Sequence, residues 1–462
     1  MKEKKEYMDL ALWAVERAKT AGADGAETYI SDSESVQINV SERQVEQVQA
    51  VLDAGIGVRF LKDRKIAFGS SNDLSRDSVK SLIDDLSKKV VFHTPDEFNV
   101  LAGKESGLLD KDWSSDPDLI SYDPQIGEAA IQDKIKNAIR LEVSGLDYSP
   151  KVKGAMYAVY QDGSSFVYFA NSNGIAGWFP SAGVGGGIEF SAVEGNDQQS
   201  GSFSKTVTRF RDFNPDEIGR KAAENAVKML GAKPIESCEV PMVVSPEIGT
   251  EMLSFIVTML SADQVQKGKS MFAGKLGAKV GAASFALIDD GRLKGGLGTR
   301  PVDGEGVPQQ TTPLIVDGIL KNFLYDCYTA KKGKVKSTGN RARGDYQSRG
   351  GIGTTNLYMK QGNVKPEAIM SGISKGFYLT VALGLFAGID PVSGDFSIPV
   401  AGFMIEKGKI AFPVRGISIG GNLFEFLNSV DKIGDDLTWF GATACPTFSI
   451  KSIKIGGVGK KQ

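Results

Sequence analysis

The N-terminal part of the chain alternates between helical and strand-like spacing of its hydrophobic residues. In residues 5–22 the apolar positions recur every three or four residues, which predicts an amphipathic helix that ends at Gly22. Over residues 27–69 the spacing changes to the every-second-residue alternation that is typical of strands, with Gly, Asp and Ser at the turns. Helical spacing returns at residues 75–90, where Ser75 can act as the N-cap. These elements predict a compact α/β unit.

The middle of the chain carries a second set of predicted helices and strands. Residues 93–124 are rich in Asp, Ser and Pro, which indicates a connection between domains. Helical spacing over 125–144 is followed by two predicted short strands, AMYAVYQDG and SFVYFANSNG. A glycine run at 183–187 is interpreted as a turn between strands, and it contains neither of the glycine motifs of phosphate-binding loops. A helix is predicted at 214–230, because Asn214 can cap it and a proline suits its first turn.

The last and largest region is dominated by predicted strands and glycine-rich turns. The strand CEVPMVV opens it, and residues 247–260 form a helix that is apolar on most sides, as expected in a core or a subunit interface. Residues 268–362 combine strand-like runs with many glycines, which indicates left-handed turns or close backbone approach. Within them, Asp317 and Gly318 predict the turn of a hairpin. The alternating strand FSIKSIKIGG is the last predicted element.

The predicted elements give an α+β fold with three domains. An N-terminal α/β domain covers residues 1–115, a central domain of similar plan covers 116–232, and a glycine-rich, strand-dominated domain covers 233–462. A length of 462 residues allows two or three domains. An apolar fraction of 41% and a charged fraction of 24% are typical of soluble globular proteins.

Charge and composition argue against several classes of function. Lys and Arg number 54 and Asp and Glu number 56, so a net charge of −2 gives no general attraction to nucleic acid, and direct binding to it is not expected. The opening MKEKKEYMDL lacks the apolar core of a signal peptide, and no apolar run is long enough to span a membrane. Three widely spaced cysteines, Cys238, Cys327 and Cys445, argue against a disulfide framework. We therefore expect a cytoplasmic protein without membrane contact.

The candidate chemistry is limited by the single histidine, His93. It cannot form an HExxH motif or a local triad, and a surface or helix-end position is its more ordinary role. The carboxylates Asp289, Asp290, Asp303 and Glu305 lie within one glycine-rich region, and hard metal ions accept such oxygen ligands. The same carboxylates belong to the ordinary turn sequences DDG and DGEG, and no histidine base lies near a Ser or Cys nucleophile. Turn structure is the simpler interpretation, and the metal-binding alternative stays open.

Several long segments, in order, resemble the TldD/PmbA family over nearly the whole chain. They are GIGVRFLKDRKIAFGSSNDLS, FANSNGIAG, SMFAGKLGAKV, DDGRLKGGLGTRPVDGEGVP, LIVDGILKNFLYD, STGNRARG, TTNLYMKQG, SGDFSIPVAGFMIEKGKIAFPV and SIKIGG. The resemblance implies a heterodimeric metallopeptidase that degrades extended or unfolded peptides; such proteins are also described as modulators of DNA gyrase. The TldD kind of subunit carries an HExxxH helix whose histidines bind zinc, and a metal-binding cysteine. The PmbA kind, also called TldE, has the same fold without those ligands.

The kind of subunit depends on the helix that precedes SMFAGKLGAKV. The helix predicted at 247–260 has LSFIVT where the resemblance places HExxxH, with Leu253 and Thr258 at the approximate positions of the histidines. Leu and Ile cannot bind zinc. Cys445 lies later than the expected metal-binding cysteine and is interpreted as a reduced thiol in the core or near the surface. The resemblance therefore implies the PmbA (TldE) kind, with no metal or other cofactor in this chain.

The leading functional hypothesis is a partner subunit without catalytic residues of its own. It would join a TldD-type HExxxH subunit, which holds the zinc, and would help to bind extended peptides by strand addition. Segments 295–306 and 337–351 are the candidate peptide-binding surface, and its candidate contacts are Arg300, Asn340, Arg341 and Arg343. The same side chains suit solvated turns and structural ion pairs equally well.

Two alternatives to the partner-subunit hypothesis stay open. In the first, the chain acts alone, as a homodimer that binds or regulates peptides without hydrolysis. In the second, it is a stand-alone hydrolase that uses carboxylates. The partner-subunit hypothesis differs from both, because it predicts that peptidase activity appears only when a TldD-type subunit is added.

Overall fold

The computed structural model describes residues 4–103, 111–112 and 118–458, and it has a mixed α+β fold. The predicted α+β class and the strand-dominated C-terminal region are both confirmed. The predicted connection at 93–124 lies partly outside the described residues. Within the described part of the chain, no helix is both long enough and apolar enough to cross a membrane.

The first half of the chain forms one seven-stranded, mostly antiparallel sheet with helices packed on it. Its strands are β1 (Gly25–Ser41), β2 (Gln44–Lys62), β3 (Lys65–Ser71), β4 (Lys111–Asp112), β5 (Val152–Asn171), β6 (Ala176–Glu194) and β7 (Asp197–Val207). Its helices are α1 (Lys4–Thr20), α2 (Arg76–Lys89), α3 (Gln125–Glu128), α4 (Ile131–Leu146) and α5 (Pro215–Lys228). The strand order is β3-β2-β1-β5-β6, and β4 and β7 both pair with β6. Because β1 pairs with β5, the sheet runs across the boundary predicted between residues 115 and 116.

Local sequence signals account for the start of two helices. The hydroxyl of Ser75 accepts a hydrogen bond from Ser78 N at 3.3 Å at the start of α2. The side chain of Asn214 accepts one from Glu217 N at 3.2 Å at the start of α5. Each bond satisfies a backbone donor that the first helical turn leaves free, so both predicted caps are confirmed.

Two features of this sheet differ from the sequence predictions. The runs AMYAVYQDG and SFVYFANSNG are not two short strands, because both belong to β5. The glycine run at 183–187 is not a turn, because it lies inside β6. A Cβ on Gly186 would lie 3.1 Å from Leu141 of α4 and from Phe213, so the missing side chain lets these two residues pack onto the strand.

The close contact between α4 and α5 predicts a large effect of one added methyl group. A Cβ on Gly219 would lie 2.1 Å from the backbone oxygen of Leu141, which cannot retreat unless α4 moves. We expect Gly219→Ala to lower the free energy of unfolding by about 2–3 kcal/mol in urea unfolding. The matched control is Gly154→Ala, because no atom lies within 4 Å of a Cβ at that strand position. Equal stability of the two variants would contradict this account of the helix contact.

The C-terminal region contains two six-stranded sheets and one two-stranded sheet. Its strands are β8 (Cys238–Val244), β9 (Leu287–Asp290), β10 (Thr311–Val316), β11 (Ile319–Leu320), β12 (Arg341–Ala342), β13 (Gly351–Ile352), β14 (Leu357–Met359), β15 (Lys375–Ala382), β16 (Asp395–Glu406), β17 (Lys409–Asn422), β18 (Val430–Ile433), β19 (Thr438–Phe440), β20 (Thr443–Cys445) and β21 (Phe448–Gly456). Its helices are α6 (Pro246–Met259), α7 (Ala262–Gln266), α8 (Cys327–Gly333), α9 (Pro366–Ser371) and α10 (Leu423–Asn428). The large sheets have the orders β11-β10-β9-β14-β20-β19 and β17-β16-β15-β8-β21-β18, and β12 pairs with β13.

Helix α6 lies between the two large sheets. It contacts β14, β19 and β20 of one sheet and β15 of the other. Ile248, Met252 and Leu253 are buried in a core that also contains residues of both sheets. The apolar sequence of this helix therefore reflects burial on most of its faces, as predicted.

The N-terminal sheet contacts the C-terminal region through glycines of β2. A Cβ on Gly57 would lie 2.3 Å from the backbone oxygen of Tyr346, and one on Gly55 would lie 2.3 Å from its ring. The Tyr346 hydroxyl donates a hydrogen bond to Asp53 Oδ1 at 3.2 Å. This close approach holds the segment that contains Tyr346 directly against the sheet.

Candidate functional site

Two adjoining cavities form one cleft, of which the larger lies between the N-terminal sheet and the C-terminal region and the smaller lies within the C-terminal region. The larger has a volume of about 780 Å³ and the smaller about 500 Å³, and both are lined by Ser261, Gln264 and Ile352. Volumes of this size are typical of ligand-binding sites. We call the larger cavity the polar half of the cleft and the smaller cavity the apolar half.

Hydrogen bonds join both walls of the polar half. Asp96, which lies between α2 and β4 in the chain, and Tyr328 of α8 both line it. The Tyr328 hydroxyl donates to Asp96 Oδ2 at 2.8 Å, and the backbone N–H of Phe98 donates to Asp96 Oδ1 at 2.9 Å. The Phe98 and Tyr328 hydrogen bonds hold the pKa of Asp96 below its usual value. The same bond to Asp96 and partial burial raise the pKa of Tyr328 to about 12.

A group of buried charges lies behind the polar half and joins the two parts of the molecule. Arg59 of β2 donates from Nη1 to Glu305 at 2.9 Å, and the same atom lies 3.3 Å from Glu27 Oε2 of β1. Arg343 also pairs with Glu27. Burial alone raises the pKa of a carboxyl, but Arg59 and Arg343 outweigh it and hold the pKa of Glu27 below its usual value. Glu27 is therefore an ionised group that depends on its two arginine partners.

Arg341 is the predicted contact residue that lines the cleft. Its Nη1 atom lies 2.5 Å from Asp326 Oδ2. Its Nε and Nη2 atoms donate to the backbone oxygen of Arg349 at 2.9 Å and 2.6 Å. These bonds fix the side chain of Arg341 and the backbone beside it. Arg300, by contrast, lines neither cavity, and its Nε atom is buried without a hydrogen-bond partner among the described residues.

The other two predicted contact residues, Asn340 and Arg343, are buried behind the cleft. Asn340 donates from Nδ2 to Asp289 Oδ2 at 2.7 Å and to the backbone oxygen of Gly353 at 3.0 Å. The guanidinium of Arg343 lies 4.9 Å from the centre of the Tyr29 ring, in addition to its pairing with Glu27. Contact with a substrate stays a prediction for all four residues, and Arg341 is the one at the cleft surface.

Two of the four carboxylates of the glycine-rich region, Asp290 and Asp303, accept hydrogen bonds from backbone groups that are close in the sequence. Asp303 Oδ1 accepts hydrogen bonds from Glu305 N at 2.8 Å and Val307 N at 2.9 Å. Asp290 Oδ1 accepts one from Arg292 N at 3.0 Å. These short-range bonds support the turn interpretation of DDG and DGEG. Within residues 4–103, 111–112 and 118–458, no group of three or more His, Cys, Asp or Glu residues is arranged to hold a metal ion.

Helix α6 forms a wall of the apolar half, and Phe255, Val257 and Thr258 are among the residues that line it. The Thr258 hydroxyl donates to the backbone oxygen of Phe255 at 2.7 Å. Leu253 is 2% exposed and belongs to the core. An aliphatic side chain and a hydroxyl that is already bonded to the helix are poor zinc ligands. The residues at the two expected histidine positions therefore do not fit a zinc site.

The remaining candidates for metal binding lie apart from each other. Cys445 is fully buried, and a Cβ on Gly249 of α6 would lie 2.5 Å from its sulfur. Burial, and secondarily Asp436, raises the pKa of the Cys445 thiol well above its usual value, as expected for a core thiol. His93 follows a short 3-10 helix and lines the polar half of the cleft. The helix-end position predicted for His93 is confirmed, and its location at the cleft was not predicted.

One strand edge along the cleft is open. Strand β13 pairs with β12 on one side, and no other described strand pairs with it. Residues 350–352 line the polar half and residues 352–354 line the apolar half, so this strand connects the two. Of the two predicted peptide-binding segments, 337–351 therefore contributes to the cleft, whereas 295–306 lines neither cavity.

Arg59 and Arg349, which both line the polar half, were not among the predicted site residues. Arg59 interrupts the apolar run IGVRFL, and a charge within a buried strand requires a partner, so this signal could have identified it. Arg349 lies in a predicted segment, but its sequence neighbours do not indicate that it faces a cleft.

The first turn of α6 predicts a specific dependence of stability on pH. Burial and the neighbouring Glu251 raise the pKa of Glu247 to about 7. Because this pKa is higher in the folded chain than in the unfolded one, the stabilising contribution is present below about pH 4.3 and is lost as the pH rises through 7. At pH 8 the free energy of unfolding of Glu247→Gln should therefore exceed that of the parent by about 1 kcal/mol, as measured by urea unfolding. At pH 4 the two free energies should be equal.

The control for this pH prediction is Glu46→Gln, which removes an exposed carboxylate of β2. It is expected to change the urea midpoint at neither pH. If the stability of Glu247→Gln changed between pH 4 and pH 8 as much as the stability of the parent does, Glu247 would not be the group that binds the proton.

Models of one known protein family match most of the chain. Three family models match in succession, described as PmbA/TldA metallopeptidase domain 1 at residues 26–89, central domain at 124–230 and C-terminal domain at 237–457. Together they cover most of the N-terminal sheet, the helices α2 to α5 and both large sheets of the C-terminal region, whereas α1 and β4 lie outside the matched ranges.

Individual proteins of this family match over most of their length. A metalloprotease PmbA homolog of Buchnera aphidicola is 27% identical over 437 residues, which are 93% of each chain. A metalloprotease TldD homolog of the same species is 28% identical over 83% of this chain and 80% of its own. A crystal structure from Bacteroides thetaiotaomicron, described as a modulator of DNA gyrase, has a TM-score of 0.88 and 25% identity and covers 99% of this chain and 100% of its own. The chain belongs to the PmbA/TldD metallopeptidase family.

Proposed function

We propose that this chain is the PmbA (TldE) kind of subunit in a heterodimeric peptidase whose zinc is held by an HExxxH partner of the TldD kind. The observation that carries the proposal is the composition of α6 beside the cleft. Leu253 is buried in the core and Thr258 bonds to its own helix, so the positions expected for two zinc-binding histidines hold neither. Relatives of both kinds match this chain, and the residues of α6 support the assignment to the PmbA kind in this proposal.

The cleft supports extended peptides as the substrate class. An added strand can pair with the open edge of β13, and such pairing uses backbone groups that every peptide has. The polar and apolar halves on either side of this strand can accept side chains of different character. In this proposal the chain binds and orients the peptide, and the partner supplies the metal that activates water for hydrolysis.

The proposal is tested by reconstitution. The purified chain is mixed with an HExxxH-bearing homologue from the same organism, and cleavage of an unfolded protein is measured with and without a chelator. We expect a stable complex with chelator-sensitive cleavage that exceeds the activity of either chain alone. Chelator-sensitive cleavage by this chain alone would overturn the proposal.

A second function is favoured by one observation, since both halves of the cleft are built from this single chain. A homodimer that binds peptides without hydrolysis is therefore the alternative. Peptide binding by the isolated chain, combined with failure to bind any HExxxH homologue, would favour it. In both cases the lack of direct nucleic-acid binding stays a prediction that depends on the balanced charge of the sequence, and the cytoplasmic location stays a prediction that depends on its cysteines.

A further inference from the structure

Among the residues that the structure describes, the carboxylates and arginines that line the polar half of the cleft are paired, with the exception of Arg349. Each acidic side chain has a partner within the chain: Asp96 accepts from Tyr328, Asp263 pairs with Lys267, and Asp326 pairs with Arg341. Arg59 pairs with Glu27 and Glu305. The guanidinium of Arg349 has no ion-pair or hydrogen-bond partner among the described residues, although it lines the same cavity.

Arg349 is an exposed side chain that lies near other arginines and near a carboxylate. Desolvation, followed by the positive charges of Arg59, Arg341 and Arg343, lowers the pKa of Arg349, and the negative charge of Glu305 opposes this shift. Its backbone is held in place because its carbonyl oxygen accepts two hydrogen bonds from Arg341. A charged arginine whose backbone is fixed and whose side chain has no partner can bind an anion.

A second, independent observation concerns Arg59, which also lines the polar half. Its residue is 3% exposed, and its Nε–H group is buried without a hydrogen-bond acceptor among the described residues. A buried donor without an acceptor costs free energy, so such groups are normally satisfied by protein, water or ligand. Arg59, which has a buried unsatisfied donor, and Arg349, which has an unpaired positive charge, thus line the same cavity.

We propose that the polar half of the cleft binds a carboxylate group of the peptide, with Arg349 as its principal contact and Arg59 beside it. This inference rests on the proposed function, in which the cleft holds extended peptides. A guanidinium can donate two parallel hydrogen bonds to a carboxylate, which gives orientation as well as affinity. The carboxylate would mark the end of the bound segment at the polar half, from which the peptide continues along β13 towards the apolar half.

Two peptide groups share this chemistry, namely the C-terminal carboxylate and the side chain of an Asp or Glu. The experiment uses three N-terminally labelled hexapeptides of alanine and leucine. The first has a free C-terminus, the second is C-terminally amidated, and the third is amidated and contains one glutamate. Binding is measured by fluorescence anisotropy with the complete chain, alone and in complex with an HExxxH subunit.

We expect the first peptide to bind about tenfold or more tightly than the second. Arg349→Gln should remove that difference by weakening binding of the free-acid peptide to the level of the amidated peptide. Arg220→Gln, which removes an exposed arginine of α5 away from the cleft, is the matched control and should behave as the parent does. If the amidated peptide with a glutamate binds as tightly as the free acid, a side-chain carboxylate is sufficient for recognition. If it binds as weakly as the amidated peptide without a glutamate, the C-terminal carboxylate is the group that is recognised.

The outcomes separate this inference from the function on which it rests. Equal binding of the free acid and both amidated peptides, or an equal loss of all three in Arg349→Gln, overturns carboxylate recognition and leaves peptide binding in place. Failure of the chain and of its complex to bind any of the three peptides overturns both proposals.

Discussion

Glu27→Gln is expected to lower the free energy of unfolding by about 3–5 kcal/mol, as measured by urea unfolding at pH 7. Glu27 is fully buried and faces both Arg59 and Arg343. Removal of its charge leaves two buried guanidinium groups, of which Arg59 keeps Glu305 as an acidic partner. Loss of one member of a buried ionic group is far more costly than loss of a surface pair, because the remaining charges stay desolvated.

The contribution of Glu27 also has a defined pH window. Its pKa is lower in the folded chain than in the unfolded one, so the stabilisation is present above about pH 4.3 and is lost as the pH falls through the folded value. The difference between the parent and Glu27→Gln should therefore shrink in acid. Glu16→Gln, which removes an exposed ion pair with Lys19, is the control and should change stability by less than about 1 kcal/mol. Equal stability of Glu27→Gln and the parent at pH 7 would contradict the structural role of these buried charges.

Gly351→Trp is expected to lower kcat/KM of the reconstituted peptidase about 100-fold, because a bulky side chain at β13 would displace the peptide from its position in the cleft. Gly351 lines the polar half, and no atom lies within 4 Å of a Cβ at this position. The indole can therefore extend into the cleft without a clash at the backbone. The measurement is the rate of peptide cleavage by the complex, together with the thermal midpoint of the variant chain.

The matched control for the cleft is Gly154→Trp. Gly154 lies on β5 and also has no atom within 4 Å of an added Cβ, but it lines neither half of the cleft. It should leave cleavage by the complex unchanged. If Gly351→Trp kept full activity at an unchanged thermal midpoint, the cleft would not be the path of the substrate.

The α+β class and many helix boundaries could be predicted because their signals are local. Caps such as Ser75 and Asn214 act within one turn, and the apolar faces of α6 reflect burial by whatever surrounds it. The position of the glycine run inside β6 could not be predicted, because glycine is typical of turns and its neighbours in space are not visible in the sequence. Its packing against Leu141 and Phe213 depends on residues about 30 to 45 positions away in the sequence.

The candidate site was only partly predictable for the same reason. The absence of histidines from LSFIVT is visible in the sequence, and so is the segment that contains Arg341 and Arg349. The pairing of Arg343 with Glu27 joins residues 316 positions apart, and no local pattern distinguishes such a buried pair from a solvated turn residue. Which arginine remains unpaired at the cleft follows only from the complete set of partners in the fold.

Metal analysis distinguishes a metal site in the partner subunit from one in this chain. The chain and its complex with the HExxxH subunit are purified without chelators, and zinc is measured per chain by atomic absorption. We predict no stoichiometric zinc in the isolated chain and about one zinc ion per heterodimer, with cleavage activity in the fraction that contains zinc. Stoichiometric zinc bound to the isolated chain, with chelator-sensitive cleavage of unfolded protein, would contradict the account.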